Sequence, residues 1–289
     1  MSERIDDILK KVRQIEIKSK GLSTHLFSGK YHSTFKGRGM SFSEVRSYQY
    51  GDDVRNIDWN VSARTGDTHV KVFEEERELS LILMIDVSKS SFWGSGTQFK
   101  SDLMAEIVAV LAFSAAQNND MTGLLLFSDK VELFIPPKKG KAHILYMLRT
   151  LLSYQPDHVK TDLSTAMEFV NKVIKRRSIC FIMSDFVGAD YQNKLSVLAK
   201  KHDVVGIKVN DDLECQLPNV GLLKVVDPET GQEFWLDSAL SSFRNQYAQK
   251  FIEHENNFQE VFSKCGAEFL KIKTSASYIH ALLAFFKNR

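Results

Sequence analysis

A chain of 289 residues is long enough for one ordinary α/β domain with an appendage, and its 43% hydrophobic and 26% charged content excludes disordered and fibrous classes. The 38 Lys/Arg against 36 Asp/Glu leave a formal charge of +2, too near balance to argue by itself for nucleic acid or an anionic membrane. Cys180, Cys215 and Cys265 lie too far apart for a zinc or disulfide motif, and with no apolar leader at the start and no apolar run near the roughly 20 residues that span a bilayer, a cytoplasmic setting is expected.

Taken in order, Ile5, Ile8, Leu9, Val12 and Ile15 recur at helical spacing and predict an amphipathic helix over the first twenty residues. Between residues 8 and 46 nine lysines and arginines face only Glu16 and Glu44, a basic stretch that the overall balance hides. Tyr50-Gly51-Asp52-Asp53 is a turn signal, and His69–Phe73 alternates like a half-buried strand. Residues 1–78 therefore read as an N-terminal helix with a small β subdomain.

From residue 79 the pattern changes to regular alternation of strands and helices. Leu79–Ile85 is a continuous apolar run, followed by a helix over 98–117 and a second run, Thr122–Phe127. Val131–Ile135 begins after only Ser128-Asp129-Lys130, too short for a crossover, so it must run antiparallel to its predecessor. Helices over about 141–153 and 162–175 lead to Ile179–Met183, and one over about 190–201 leads to Val204–Val209. A hairpin insertion near 222–236 turns at Asp-Pro-Glu-Thr-Gly; a helix over about 238–264, a strand at Glu268–Ile272 and a last helix over about 277–287 complete the chain. Residues 79–289 form an α/β fold with a doubly wound, mostly parallel sheet.

The candidate site is Asp86-Val87-Ser88-Lys89-Ser90, where the first parallel strand ends, the edge at which open α/β sheets bind ligands. One carboxylate and two hydroxyls can turn toward one point, and Thr161 and Asp185 add oxygen donors at later strand ends. Hard cations require such oxygen ligands, so Mg²⁺, with Mn²⁺ as substitute, is the expected cofactor. With two carboxylates at most, the ion keeps a place for a carboxylate from a protein partner. The bland alternative is helix capping by Asp86, Ser88 or Thr161.

Asp86-x-Ser88-x-Ser90 with Thr161 and Asp185 resembles the metal-ion-dependent adhesion site of the von Willebrand factor A superfamily, over about residue 79 to the end. A longer string, from Gly37-Arg38-Gly39 through Arg46, Asp52-Asp53-Val-Arg55 and Asp58-Trp59 to Arg64, resembles the bacterial family catalogued as domain of unknown function 58. The resemblance implies strand order 3-2-1-4-5-6 with one antiparallel edge strand, and a link to a MoxR-type AAA+ ATPase. Phe186 departs from the pattern, since adhesion domains usually carry glycine after this Asp, and Ser91 stands where Met often follows the second Ser.

Within the signature, which also holds Arg38, the residues Arg46, Arg55 and Arg64 alternate with Glu44, Asp52, Asp53 and Asp58, which suits guanidinium–carboxylate pairs, with Trp59 as the apolar anchor; a partner-binding surface is the alternative. Three functions compete. The first is a metal-dependent protein-binding module or adaptor working with the AAA+ ATPase or its substrate. The second is a Mg²⁺-dependent, phosphatase-like hydrolase, for which His143, His158 and His202 are scattered base candidates. The third is peripheral binding to an anionic membrane, or less readily to nucleic acid, through the basic N-terminal segment.

Overall fold

The computed structural model describes residues 40–75, 79–89, 99–155, 160–188, 190–226 and 232–288. The expected N-terminal helix, most of the basic stretch, Gly37, Arg38, Gly39, Ser90, Ser91, His158 and the turn at 227–231 lie outside the described residues. The chain separates into two compact units, with a boundary between Glu78 and Leu79.

In the smaller unit, β1 (Met40–Ser47) pairs antiparallel with β2 (His69–Glu75), with a bulge between Phe42 and Glu44. A single 3₁₀ turn, Val54–Asn56, is capped by Asp53, and α1 (Trp59–Thr65) follows. Asp58 starts α1 by accepting the N–H groups of Asn60 and Val61, two of the donors a helix start leaves unpaired. Gly66 ends it at φ 82°, a left-handed value that favours glycine.

The larger unit is built on six strands: β3 (Ser80–Asp86), β4 (Met121–Phe127), β5 (Val131–Lys138), β6 (Ile179–Ser184), β7 (Asp203–Asn210) and, after the hairpin strands β8 (Leu222–Val226) and β9 (Glu233–Asp237), β10 (Glu268–Lys273). Their spatial order is β10-β7-β6-β3-β4-β5, with all neighbours parallel except β4 and β5. Numbered within this sheet, that is 3-2-1-4-5-6 with an antiparallel edge, the order the resemblance implies. The chain runs outward from β3 to β4 and β5 on one side and returns to β6, β7 and β10 on the other. The switch point is therefore the crevice between β3 and β6.

Every residue of β3 and β6 is buried, which is why both read as unbroken apolar runs. The helices are α2 (Lys100–Gln117), α3 (Lys141–Ser153), α4 (Leu163–Val173), α5 (Gln192–Lys201), the single turn α6 (Asp212–Cys215), α7 (Ser241–Lys264) and α8 (Tyr278–Asn288). Leu163, Ala166 and Val170 of α4, Leu195 and Leu198 of α5, and Phe258 and Phe262 of α7 form one core with Ile82, Met84, Cys180 and Ile182 of the sheet. On the opposite face Phe181 meets Phe286 of α8 at 6.2 Å between ring centroids. Gly206 in β7 leaves room for α7 on the first face, because a Cβ there would come within 2.4 Å of the Phe262 ring. The β8–β9 hairpin stands as its own two-stranded sheet, with Leu222, Val226 and Trp235 exposed. No described helix is long and apolar enough to cross a membrane.

Candidate functional site

Asp86 closes β3 at the switch point and is 1% exposed. The Ser88 N–H donates to its Oδ1 at 2.9 Å, and the Ser88 hydroxyl also bonds to the carboxylate. From the neighbouring strand the Ser184 hydroxyl donates to Oδ2 at 2.6 Å and accepts the Phe186 N–H at 3.1 Å. The parallel register sets Met183 beside Ile85, which brings Ser184 and Asp185 to the same edge as Asp86. Burial, followed by the negative charge of Asp185, pushes the Asp86 carboxyl up to about 6. No cationic side chain is among the groups that shift it. A buried acid flanked by hydroxyls and a second acid, with no countercharge of its own among the described residues, is a setting that a divalent cation would relieve.

Thr161 lies on the approach to α4, not at a strand end as the sequence suggests, but it is docked on this edge. The adjoining Asp162 N–H donates to the Ser128 carbonyl, just beyond β4, at 2.8 Å. A Cβ on Gly188 would lie 3.8 Å from the Thr161 carbonyl oxygen, so the Thr161 and Asp185 loops are neighbours. The α4 cap is Asp162, which accepts the Ser164 and Thr165 N–H groups, so capping does not use the Thr161 hydroxyl. Asp185 accepts the Val187 N–H at 3.2 Å. Asp86, Ser88, Thr161 and Asp185 thus share one end of the sheet, and the fifth expected donor, Ser90, is outside the described residues. Carboxylate and hydroxyl oxygens are the donor set that Mg²⁺ prefers, so these residues fit the ion. Among the described residues no group of three or more His, Cys, Asp or Glu is arranged to hold a metal, at this edge or elsewhere, so a cation here would rest on two carboxylates and on hydroxyl oxygens.

Phe186, the departure from the adhesion-site pattern, has φ 54°, the left-handed region that glycine adopts without strain. Its ring is buried 4.7 Å from Phe258 and 5.2 Å from Phe262, so aromatic packing holds the Asp185 loop where glycine would otherwise ease the turn.

Three contributors were not singled out from sequence. Ser184 stands beside Asp185, but its bond to Asp86 spans 98 positions and needs the strand register to be seen. Lys100, 1% exposed at the start of α2, reaches Glu214 at 2.6 Å and approaches Asp185 at 4.0 Å. Lys208, equally hidden, pairs with Glu255 at 3.2 Å. An isolated lysine in a sequence carries no sign that its ammonium group is buried.

In the signature, Arg46 grips Asp52 through two bonds of 2.7 Å, and the Gln49 N–H adds a third at 2.8 Å. The guanidinium holds the Asp52 carboxyl below its ordinary value. Asp53 and Asp58 are used differently from the arginine pairing expected of them: both cap helical turns, and Asp58 approaches Lys71 at 3.5 Å. Arg55 and Arg64 are exposed and pair with no described carboxylate. The reading of Trp59 as an apolar anchor is corrected: it is 70% exposed, in a helix with no buried residue. Of the histidines, His143 bonds the Thr122 carbonyl at 2.9 Å and His202 precedes β7, so both lie at the amino ends of strands, opposite Asp86.

The family described as "Protein of unknown function DUF58" matches residues 44–257. Uncharacterized protein Rv1480 of Mycobacterium tuberculosis is 30% identical over 283 residues, covering 96% of this chain and 88% of its own length. Among solved structures, an aerotolerance-related membrane protein from Bacteroides fragilis aligns with a TM-score of 0.48 and 11% identity, over 73% of this chain and 100% of its own. BatB from Bacteroides thetaiotaomicron aligns with a TM-score of 0.46 and 13% identity, over the same shares, 73% and 100%.

Proposed function

Because the chain belongs to the family described as Protein of unknown function DUF58, whose description states no activity, we propose from the geometry of the site that it is a divalent-cation-dependent protein-binding module. Asp86, Ser88, Ser90, Thr161 and Asp185 would hold Mg²⁺, or Mn²⁺ in its place. Bound there, the cation supplies a position that a hard ligand such as a partner's Glu or Asp carboxylate fills. The carrying observation is Asp86: a carboxylate buried at the switch point, bonded among the described residues by hydroxyl and amide donors, and raised by that burial and by a neighbouring acid. The family resemblance makes a MoxR-type AAA+ ATPase, or its substrate, the partner to test first. A cytoplasmic setting suits that pairing.

Calorimetric titration with Mg²⁺ tests the site. Wild type is expected to bind, and Asp86→Ala to bind at least about tenfold more weakly, the scale of loss seen even for outer supports of metal sites. Equal affinity in the two proteins overturns the reading. Capture of the ATPase that is lost on adding EDTA supports the partner; capture indifferent to EDTA removes the metal from the contact.

A further inference from the structure

A cavity of about 290 Å³ opens beside Asp185, between the carboxyl end of β7 and one face of α7. Lys208 and Asn210 form its deep end, 2% and 5% exposed, while Lys250 and His254, one turn apart on α7, stand exposed at its outer wall. The Tyr247 hydroxyl donates to the Leu213 carbonyl at 3.3 Å and so ties that helix face to α6. The volume is at the small end for ligand sites and suits one or two side chains of a peptide.

Charge decides which side chains. Glu214 on the rim is answered by Lys100 at 2.6 Å. Glu255 serves two ammonium groups, Lys208 at 3.2 Å and Lys271 at 3.1 Å, and also accepts from Asn210 at 3.1 Å. Burial opposes ionisation of Glu255, yet these partners hold its carboxyl below the ordinary value, so it stays charged and its own charge answers only one of the two lysines. Lys250 pairs with no described carboxylate. Lys100, Lys208, Lys250 and Lys271 thus outnumber Asp185, Glu214 and Glu255, so the cavity carries a surplus of positive charge whether or not a cation engages Asp185.

We infer that this cavity is a second subsite for an acidic peptide, taking a carboxylate side chain next to the one on the cation. The inference rests on the proposed metal reading for its neighbour but not for its own charge. Joining two such contacts in one ligand raises affinity through effective concentration, without any new contact. It also selects a partner with clustered acidic residues over one with a single exposed acid.

The test uses the full chain with labelled histidine side chains, followed by NMR, and two probes: acetyl-glutamate amide and an acetylated tri-glutamate amide. In saturating Mg²⁺ the tri-glutamate should bind at least about tenfold more tightly than the single residue and shift the His254 signal. Lys250→Glu, at an exposed helix position, should remove that advantage and leave Mg²⁺ affinity unchanged. Lys264→Glu makes the same change of net charge at the far end of α7 and should keep the advantage. An advantage that survives Lys250→Glu, or a silent His254, overturns the subsite. If Mg²⁺ fails to bind, the metal reading falls alone and the subsite is decided in EDTA. There a His254 shift present in wild type and absent in Lys250→Glu supports it, and no shift overturns it.

Discussion

Phe186 shows how a residue that breaks a pattern can be held by its surroundings. A left-handed φ costs a side chain about 1 kcal/mol or more, and here the neighbouring rings offset it. Phe186→Ala keeps the strain and loses the ring, so a loss of roughly 3 kcal/mol in urea unfolding is expected. Phe186→Gly loses the ring but relieves the strain, so it should be no less stable than the alanine variant, the reverse of the usual order. A glycine variant clearly weaker than the alanine one would show that the loop does not need a left-handed residue. At the other end of the sheet His202, 1% exposed, accepts the Ser178 N–H on Nδ1, while its Nε2 has no hydrogen-bond partner among the described residues. Burial, with Lys201 and Arg177 adding to it, pulls its pKa down to about 4 from 6.5. The unfolded chain therefore takes up a proton near pH 6.5 that the fold refuses until about pH 4. Stability from keeping this ring neutral is present above pH 6.5 and is lost as pH falls through that window. His202→Gln should flatten the decline of the urea midpoint between pH 7 and pH 4 compared with wild type, and parallel declines would count against a buried neutral ring.

At the scale of elements, β7 and α7 meet through a position that tolerates no side chain. A Cβ on Gly206 would press on the Phe262 ring at 2.4 Å and on Phe186 at 3.3 Å. Gly206→Ala should therefore cost about 1–3 kcal/mol by overpacking and weaken Mg²⁺ binding as well, since Phe186 anchors the Asp185 loop. Stability loss with unchanged Mg²⁺ affinity would separate the aromatic cluster from the site. The βα alternation of this unit was legible because two-sided burial leaves continuous apolar runs at β3 and β6. The antiparallel β5 followed from a three-residue link alone. By contrast α1 left no trace in hydrophobic periodicity, because none of its seven residues is buried, and Asp58, which caps it, reads in the sequence as a partner for arginine. The Asp86 and Ser88 pair was readable because one loop supplies both. The Lys100 to Glu214 contact, 114 positions apart, was not, since only the assembled sheet edge brings them together.

For the whole molecule, a ligand bound only by the folded state shifts the unfolding balance by mass action. Mg²⁺ at about a hundredfold above its dissociation constant should add roughly 2.7 kcal/mol. The melting temperature should rise accordingly and fall back with EDTA. Asp86→Ala should show no such rise; a rise that persists in the variant would place the ion elsewhere. Cys180 sits at the middle of the sheet, fully buried on β6, while Cys215 and Cys265 are only partly covered. Burial pushes the Cys180 thiol far up, so inside the fold it is both out of reach and protonated. An alkylating reagent can therefore modify this sulfur only when β3 and β7 part from β6, and its labelling rate counts the openings of the molecule's centre in time.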